Sequence, residues 1–200
     1  DKKFIYYDKD FIERSRYEVL QNYLIGKNIG LAIGRQGQVI GTDTWDIVSI
    51  TNTILDFNYY RRGGELIFPL YLYPDLTDQP TLTGNPERVP NFNREIIKEF
   101  EEKTGLHFAG EITDPAIDIP TNVFTPEDLL HYIYAVLHSP TYRETYKEFL
   151  KIDFPRVPFP KNPKQFYNLA KLGRQLTEIH LLESDVVNQF ITTYPIDGAN

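Results

Sequence analysis

Among the 200 residues there is no cysteine and no methionine. The first absence excludes disulfide staples, thiolate zinc sites and a cysteine nucleophile. No apolar run approaches the roughly 20 residues that a membrane-spanning helix requires. The N-terminal stretch is studded with charge and holds no apolar core of the secretory type. Phosphate-cradling loops are missing too: GLAIGRQG at 30–37 carries glycines, but no lysine-serine pair follows it. Nor is there a G-x-S-x-G nucleophile elbow. The missing methionine, with an opening DKKFIYYD that already reads as a strand, leads us to expect a piece of a longer polypeptide.

What is present is the mix of a water-soluble globular chain, with 41% hydrophobic and 24% charged residues. A chain of this length buries roughly 70% of the surface its unfolded form exposes and makes one domain, or at most two small ones. The net charge of −7 argues against a general polyanion binder. The charge is unevenly spread. Residues 1–65 balance at nine basic and nine acidic, residues 66–135 hold four against twelve, and 140–176 hold eight against three. One acidic segment therefore separates two stretches that can each present a basic face.

Periodicity predicts strands over 4–8, 28–33, 46–51, 54–60 and 65–73, with Pro69 marking an edge or a bulge. A helix is expected over 11–24, closed by Gly26, and a charged one over 94–104, with Ile96, Ile97 and Phe100 inward and Gly105 as its stop. The stretches 74–92 and 110–124 read as loops. Thr125, Pro126, Glu127 and Asp128 signal a helix start, and Ser139-Pro140 another, with Tyr142, Tyr146 and Phe149 inward. FPRVPFPKNP at 154–163 must be extended, with Pro155, Pro158 and Pro160 as connectors. A last helix runs from 163 to about 182, burying Phe166, Leu169, Leu172 and Leu176, with Lys164, Asn168, Lys171 and Gln175 opposite. The fold class is α+β, with mixed strands in the N-terminal half and helices in the C-terminal half.

No catalytic constellation emerges. Glu127, His131 and His138 share a helix face, but without an H-E-x-x-H spacing they read as helix-surface residues rather than a metal site. Asp114 and Asp118 lie in an acidic, proline-rich loop. A recognition inventory remains: Arg14 and Arg16 on the first helix, Arg35, Gln36 and Gln38 in a glycine-flanked loop, and Arg61-Arg62 at a turn. Arginine and glutamine make bidentate contacts with guanine and adenine edges, whereas lysine suits phosphates. Arg143, Lys147 and Lys151 recur every four residues as a basic stripe, and Lys164 and Lys171 face outward on the last helix.

The runs DKKFIYYDKDFIERSRYEVLQNYL, NIGLAIGRQ, IFPLYLYP and the block from FTPEDLLHYIYAVL to LTEIHLLE together resemble the C-terminal specificity region of type ISP restriction-modification enzymes. The resemblance implies a restriction-enzyme target-recognition domain over 1–200. Within it, a strand-rich part (1–75) would adjoin a methyltransferase, followed by acidic loops and a short helix (76–124), a helical part (125–183) and a tail (184–200). It also implies a parent enzyme that methylates adenine N6 with S-adenosylmethionine and uses ATP and magnesium for translocation and cleavage, in the cytoplasm. No residue here carries those activities: the Asn-Pro-Pro-Tyr motif is absent, and NPER at 85–88 does not replace it. Matching positions are Tyr6, Tyr7, Arg14 and Arg16, and Asn28, Gly30, Leu31, Arg35 and Gln36, which are expected near the methyltransferase junction and the DNA. The partners implied are double-stranded DNA and the parent's methyltransferase and translocase domains, with no membrane. A docking module that reads no bases, using the acidic segment and exposed tyrosines, is the alternative; a free-standing enzyme is a third.

Overall fold

A computed structural model of the chain describes residues 16–34, 45–56, 58–60, 64–74, 87–112 and 120–190. The strand expected over 4–8 and the start of the first helix lie outside these residues. Within them, the helix α1 spans Tyr17–Leu24.

A three-stranded antiparallel sheet follows, ordered β2-β1-β3. Its centre is β1 (Gly30–Gly34), flanked by β2 (Val48–Thr51) and β3 (Glu65–Pro69). Every residue of β1 is buried, which suits the apolar run GLAIG. Gly30 has to be glycine, because a Cβ there would lie 2.3 Å from the Phe68 carbonyl and 2.2 Å from the Tyr23 hydroxyl. The expected strand over 54–60 is not formed by its described residues. Asp56 instead accepts the Asn58 amide in a turn, and Tyr60 turns its hydroxyl inward to the Ala32 carbonyl and Ser49 Oγ.

The run 65–73 breaks in two. Pro69 ends β3 on the edge of the sheet, where its missing N–H costs no ladder bond. The chain then shifts into β4 (Tyr71–Leu72), which pairs antiparallel with β5 (Val89–Pro90). Part of the expected loop 74–92 is therefore a strand. The same holds for 110–124, where β7 (Val123–Phe124) runs parallel to β6 (His107–Phe108).

Helix α2 (Arg94–Thr104) is capped by Asn93 and closed by Gly105 at φ 72°. It buries Ile97, Phe100 and Thr104, and leaves Ile96 exposed. Helix α3 (Pro126–His138) starts at a full capping box, with Thr125 and Asp128 each bonding the other's backbone amide. Nine of its residues are buried, so it is a central helix rather than an amphipathic one.

The helix expected after Ser139 breaks at Tyr146 into α4 (Pro140–Thr145) and α5 (Lys147–Leu150). Tyr142 and Leu150 are buried, whereas Tyr146 is exposed. The proline-rich stretch forms no helix, as predicted, and two tyrosines tie it down: the Tyr142 hydroxyl donates to the Arg156 carbonyl at 3.0 Å and that of Tyr132 to the Pro158 carbonyl at 2.7 Å.

The last helix, α6 (Pro163–His180), crosses α3. Its buried residues are Phe166, Ala170, Gly173 and Thr177; Leu172 is exposed, against expectation. Phe166 joins an aromatic cluster with Phe100, Phe124 and Tyr132, at ring distances of 5.3–5.6 Å. At Gly173 the two backbones nearly touch: a Cβ would sit 1.8 Å from the His131 carbonyl oxygen.

Helix propensity and packing make opposite predictions at Gly173. Propensity alone gives alanine an advantage of about 1 kcal/mol in a helix interior. The backbone clash reverses the sign, and Gly173→Ala is expected to destabilise the protein by about 1–3 kcal/mol. Urea unfolding of the two proteins measures it; a more stable variant would show that the helices do not meet at this point.

Candidate nucleic-acid interface

The predicted base-reading side chains Arg35, Gln36, Gln38, Arg61 and Arg62 lie outside the described residues, as do Arg14, Tyr6 and Tyr7. The strand ends that flank them are described. Gly34, the residue before Arg35, pairs with Glu65 at the start of β3, and β2 meets the same end of β1 at Val48. The segments 35–44 and 61–63 therefore leave from one end of the sheet.

At that end Arg16 donates from Nη1 to the Glu65 carbonyl at 3.0 Å, fixing the start of α1 to β3. The Glu65 side chain itself is 1% exposed, and neither carboxylate oxygen has a hydrogen-bond partner. Burial raises its pKa to about 7; the Arg16 guanidinium pulls the other way, and Asp56 adds to the rise. The Tyr23 hydroxyl is also buried without a partner, its pKa pushed up by burial and by Glu65.

Asn28, expected near DNA, is instead an internal clip. Its Nδ2 donates to the Asn22 and Tyr71 carbonyls at 2.9 and 2.8 Å, and its Oδ1 accepts from the Ile29 and Tyr71 amides at 3.0 and 3.1 Å. All four positions of the amide are used, and the residue is buried. It joins the end of α1 to β4 and has nothing left to offer a base.

The predicted stripe of Arg143, Lys147 and Lys151 is not formed, because the helix that would carry it breaks at Tyr146. Arg143 turns inward: its Nε donates to the Leu137 carbonyl at 2.7 Å, closing the last turn of α3, and its guanidinium lies 5.8 Å from the Trp45 ring. Burial lowers its pKa. Lys147 is half-buried, and Lys151 pairs with Glu148 at 2.7 Å.

Lys164 and Lys171 are placed as predicted. With Asn168 and Gln175 they are exposed on α6 and form no hydrogen bond or ion pair with the described residues. Lys161, just before the helix, adds a further exposed cation. Sequence reasoning did not include it, although a signal existed: residues 154–177 contain five basic side chains and no acidic one. Nearby Arg174 is engaged by Glu178 at 3.1 Å.

His131 and His138, expected on the helix surface, are buried and half-buried, whereas His107 and His180 are exposed. His131 is buried, and burial lowers its pKa to about 4. His138 bonds the Tyr134 carbonyl at 3.0 Å, and His180 bonds the Tyr134 hydroxyl at 2.5 Å. Glu127 accepts from the Tyr71 hydroxyl at 2.5 Å. No group of three metal-ligating side chains forms among the described residues. Asp114 and Asp118 lie outside them.

A family model described as the Type ISP C-terminal specificity domain matches residues 1–200. Among solved structures, the chain is similar to part of a cryoEM structure of a DrdV–DNA complex. The likeness has 28% identity and a TM-score of 0.51, and covers 78% of this chain and 12% of that one. The comparison with curated proteins found no match.

Two buried titrations oppose one another in this molecule. Glu65 keeps its proton to about pH 7 when folded but releases it near 4.5 when unfolded, so it costs stability as pH rises through that window. His131 resists protonation down to about 4 when folded, against 6.5 when unfolded, so it adds stability as pH rises from 4 to 6.5. Glu65→Gln is expected to leave stability unchanged at the acid end of the Glu65 window and to raise it above pH 7 by on the order of 1–3 kcal/mol. Urea unfolding across the pH range tests this, and superimposable pH profiles would contradict it.

Proposed function

The chain belongs to the Type ISP C-terminal specificity domain family, and from that premise we propose that it recognises a short, asymmetric duplex DNA site for a restriction-modification enzyme. The observation that carries this reading is the outer face of α6. In a chain of net charge −7, this face presents Lys164 and Lys171 with no acidic partner, and Lys161 beside them. Unpaired lysines on a helix suit phosphate contacts, which fix register. The shared sheet end from which segments 35–44 and 61–63 depart supports a second contact region, in which Arg35 and Gln36 read base edges and Gln38, Arg61 and Arg62 assist. Arg16 acts from behind, by holding α1 to β3.

The matched region is 12% of the chain in the DrdV–DNA complex, and the larger activities belong to the rest of such an enzyme. Adenine-N6 methyl transfer with S-adenosylmethionine, and translocation and cleavage with ATP and magnesium, are assigned to no residue here. The described residues supply neither a phosphate-cradling glycine loop nor a metal-ligating cluster. Methylating a base in a duplex requires flipping it out of the stack, and the domain's part is to hold the duplex in register meanwhile. No helix among the described residues is long and apolar enough to cross a membrane. A cytoplasmic location follows from the proposed role. Beyond α6, Leu182, Val186 and Phe190 are exposed, which supports docking of that end onto the methyltransferase or translocase part of the enzyme.

Binding assays with cognate and random duplexes test the division of labour. Lys164→Ala and Lys171→Ala should weaken binding to every sequence and each reduce the slope of log K against log salt by about 0.9. Arg35→Ala and Gln36→Ala should instead relax site choice, by roughly 1–3 kcal/mol per lost bidentate contact. Equal effects of both classes on cognate and random DNA would overturn the assignment.

A further inference from the structure

Resting on the DNA-reading role, a second conclusion concerns where part of the sequence is read. We propose that α6 lies in the major groove and that Asn168 and Gln175 on its outer face are specificity-determining residues, each reading one base pair, with Lys164 and Lys171 on the flanking phosphates.

The helix geometry points to this. At about 100° per residue, Lys164, Asn168, Lys171 and Gln175 fall within an arc of roughly 60°. The buried face of Phe166, Ala170, Gly173 and Thr177 lies diametrically opposite. The stripe is thus as far from the core as the helix allows. Along the axis, Lys164 to Gln175 spans roughly 16 Å, which fits a groove wide enough to admit a helix.

The chemistry of the four side chains is ordered. Lysines and carboxamides alternate, and no acid interrupts them before Glu178. A carboxamide can donate to adenine N7 and accept from adenine N6 at once, and asparagine and glutamine are the side chains suited to that bidentate contact. Both are exposed here, and neither is engaged by a described residue. Several other amides are occupied, as Asn22, Asn28, Asn91, Asn93 and Asn162 hold backbone groups. Leu172 sits beside the stripe, 54% exposed. An apolar side chain at that place suits the thymine methyl group that borders an adenine in the major groove.

The spacing sets a quantitative expectation. Asn168 and Gln175 are seven residues and therefore roughly 10 Å apart along the axis. At about 3.4 Å per step, the two base pairs they read are about three apart.

The experiment is selection from a randomised duplex pool using the full-length enzyme that carries this domain, as wild type, Asn168→Ala and Gln175→Ala. Both side chains are exposed, and the far-ultraviolet spectrum checks the fold of each protein. The expected result is that each variant loses discrimination at one base pair by roughly 5- to 150-fold, at two positions about three apart. The salt dependence of binding should be unchanged. Motifs as sharp as the wild type's in both variants would overturn this inference and leave the DNA-reading role standing. Uniform weakening on all sequences would overturn it too, by making these residues positioning groups. If the wild-type enzyme itself enriched no motif, the role on which the inference rests would fail with it.

Discussion

The contact of α6 with α3 at Gly173 governs the rest of the C-terminal half. Because the His131 carbonyl occupies the space where a Cβ would be, α6 can rotate very little about its own axis. That fixed rotation turns Phe166, Ala170 and Thr177 into the core and sends Lys164, Asn168, Lys171 and Gln175 outward. The outward-facing polar surface of α6 is in this sense the other side of a packing constraint. His131 itself lies buried and uncharged at the crossing, as a helix covered on all sides demands.

The N-terminal half is organised by polar groups as much as by apolar ones. Asn28 satisfies four backbone partners, a set of bonds worth roughly 0.5–1.5 kcal/mol each and costlier to leave unmade. Arg16 performs a similar service between α1 and β3. Glu65 is the exception, a buried carboxyl whose oxygens have no hydrogen-bond partner among the described residues, at the sheet end formed by Gly34, Val48 and Glu65 itself. An unpaired buried acid lowers stability at neutral pH, so its presence there marks a place where stability alone did not choose the residue.

Local signals were read well where the chemistry is local. The helix start at Thr125, the stop of α2 at Gly105, the edge role of Pro69 and the non-helical run after Phe154 all follow from groups within four residues of one another. Four expectations failed for one shared reason. Arg143, His131 and Leu172 were judged by residue type and helical spacing, and Asn28 by its match to the family's motif, and each was decided by a tertiary neighbour. Asn28 met Tyr71, Arg143 met Trp45 and the end of α3, His131 met α6. Leu172 was displaced from the core because Gly173 took the contact. The short pairs β4–β5 and β6–β7 were missed for the same cause, since two-residue strands have no periodicity of their own.

By itself, then, the sequence determined the fold class, the starts of α2, α3, α4 and α6 and the family resemblance, because these depend on composition, short-range hydrogen bonding and ordered motifs. Tertiary structure alone decided which polar side chains remain available. A lysine or asparagine on a surface and one spent on a backbone carbonyl are identical in the sequence. Only the packing of α3, α4, α6 and the sheet shows that Asn28 and Arg143 are spent, and that Lys164, Asn168, Lys171 and Gln175 face outward.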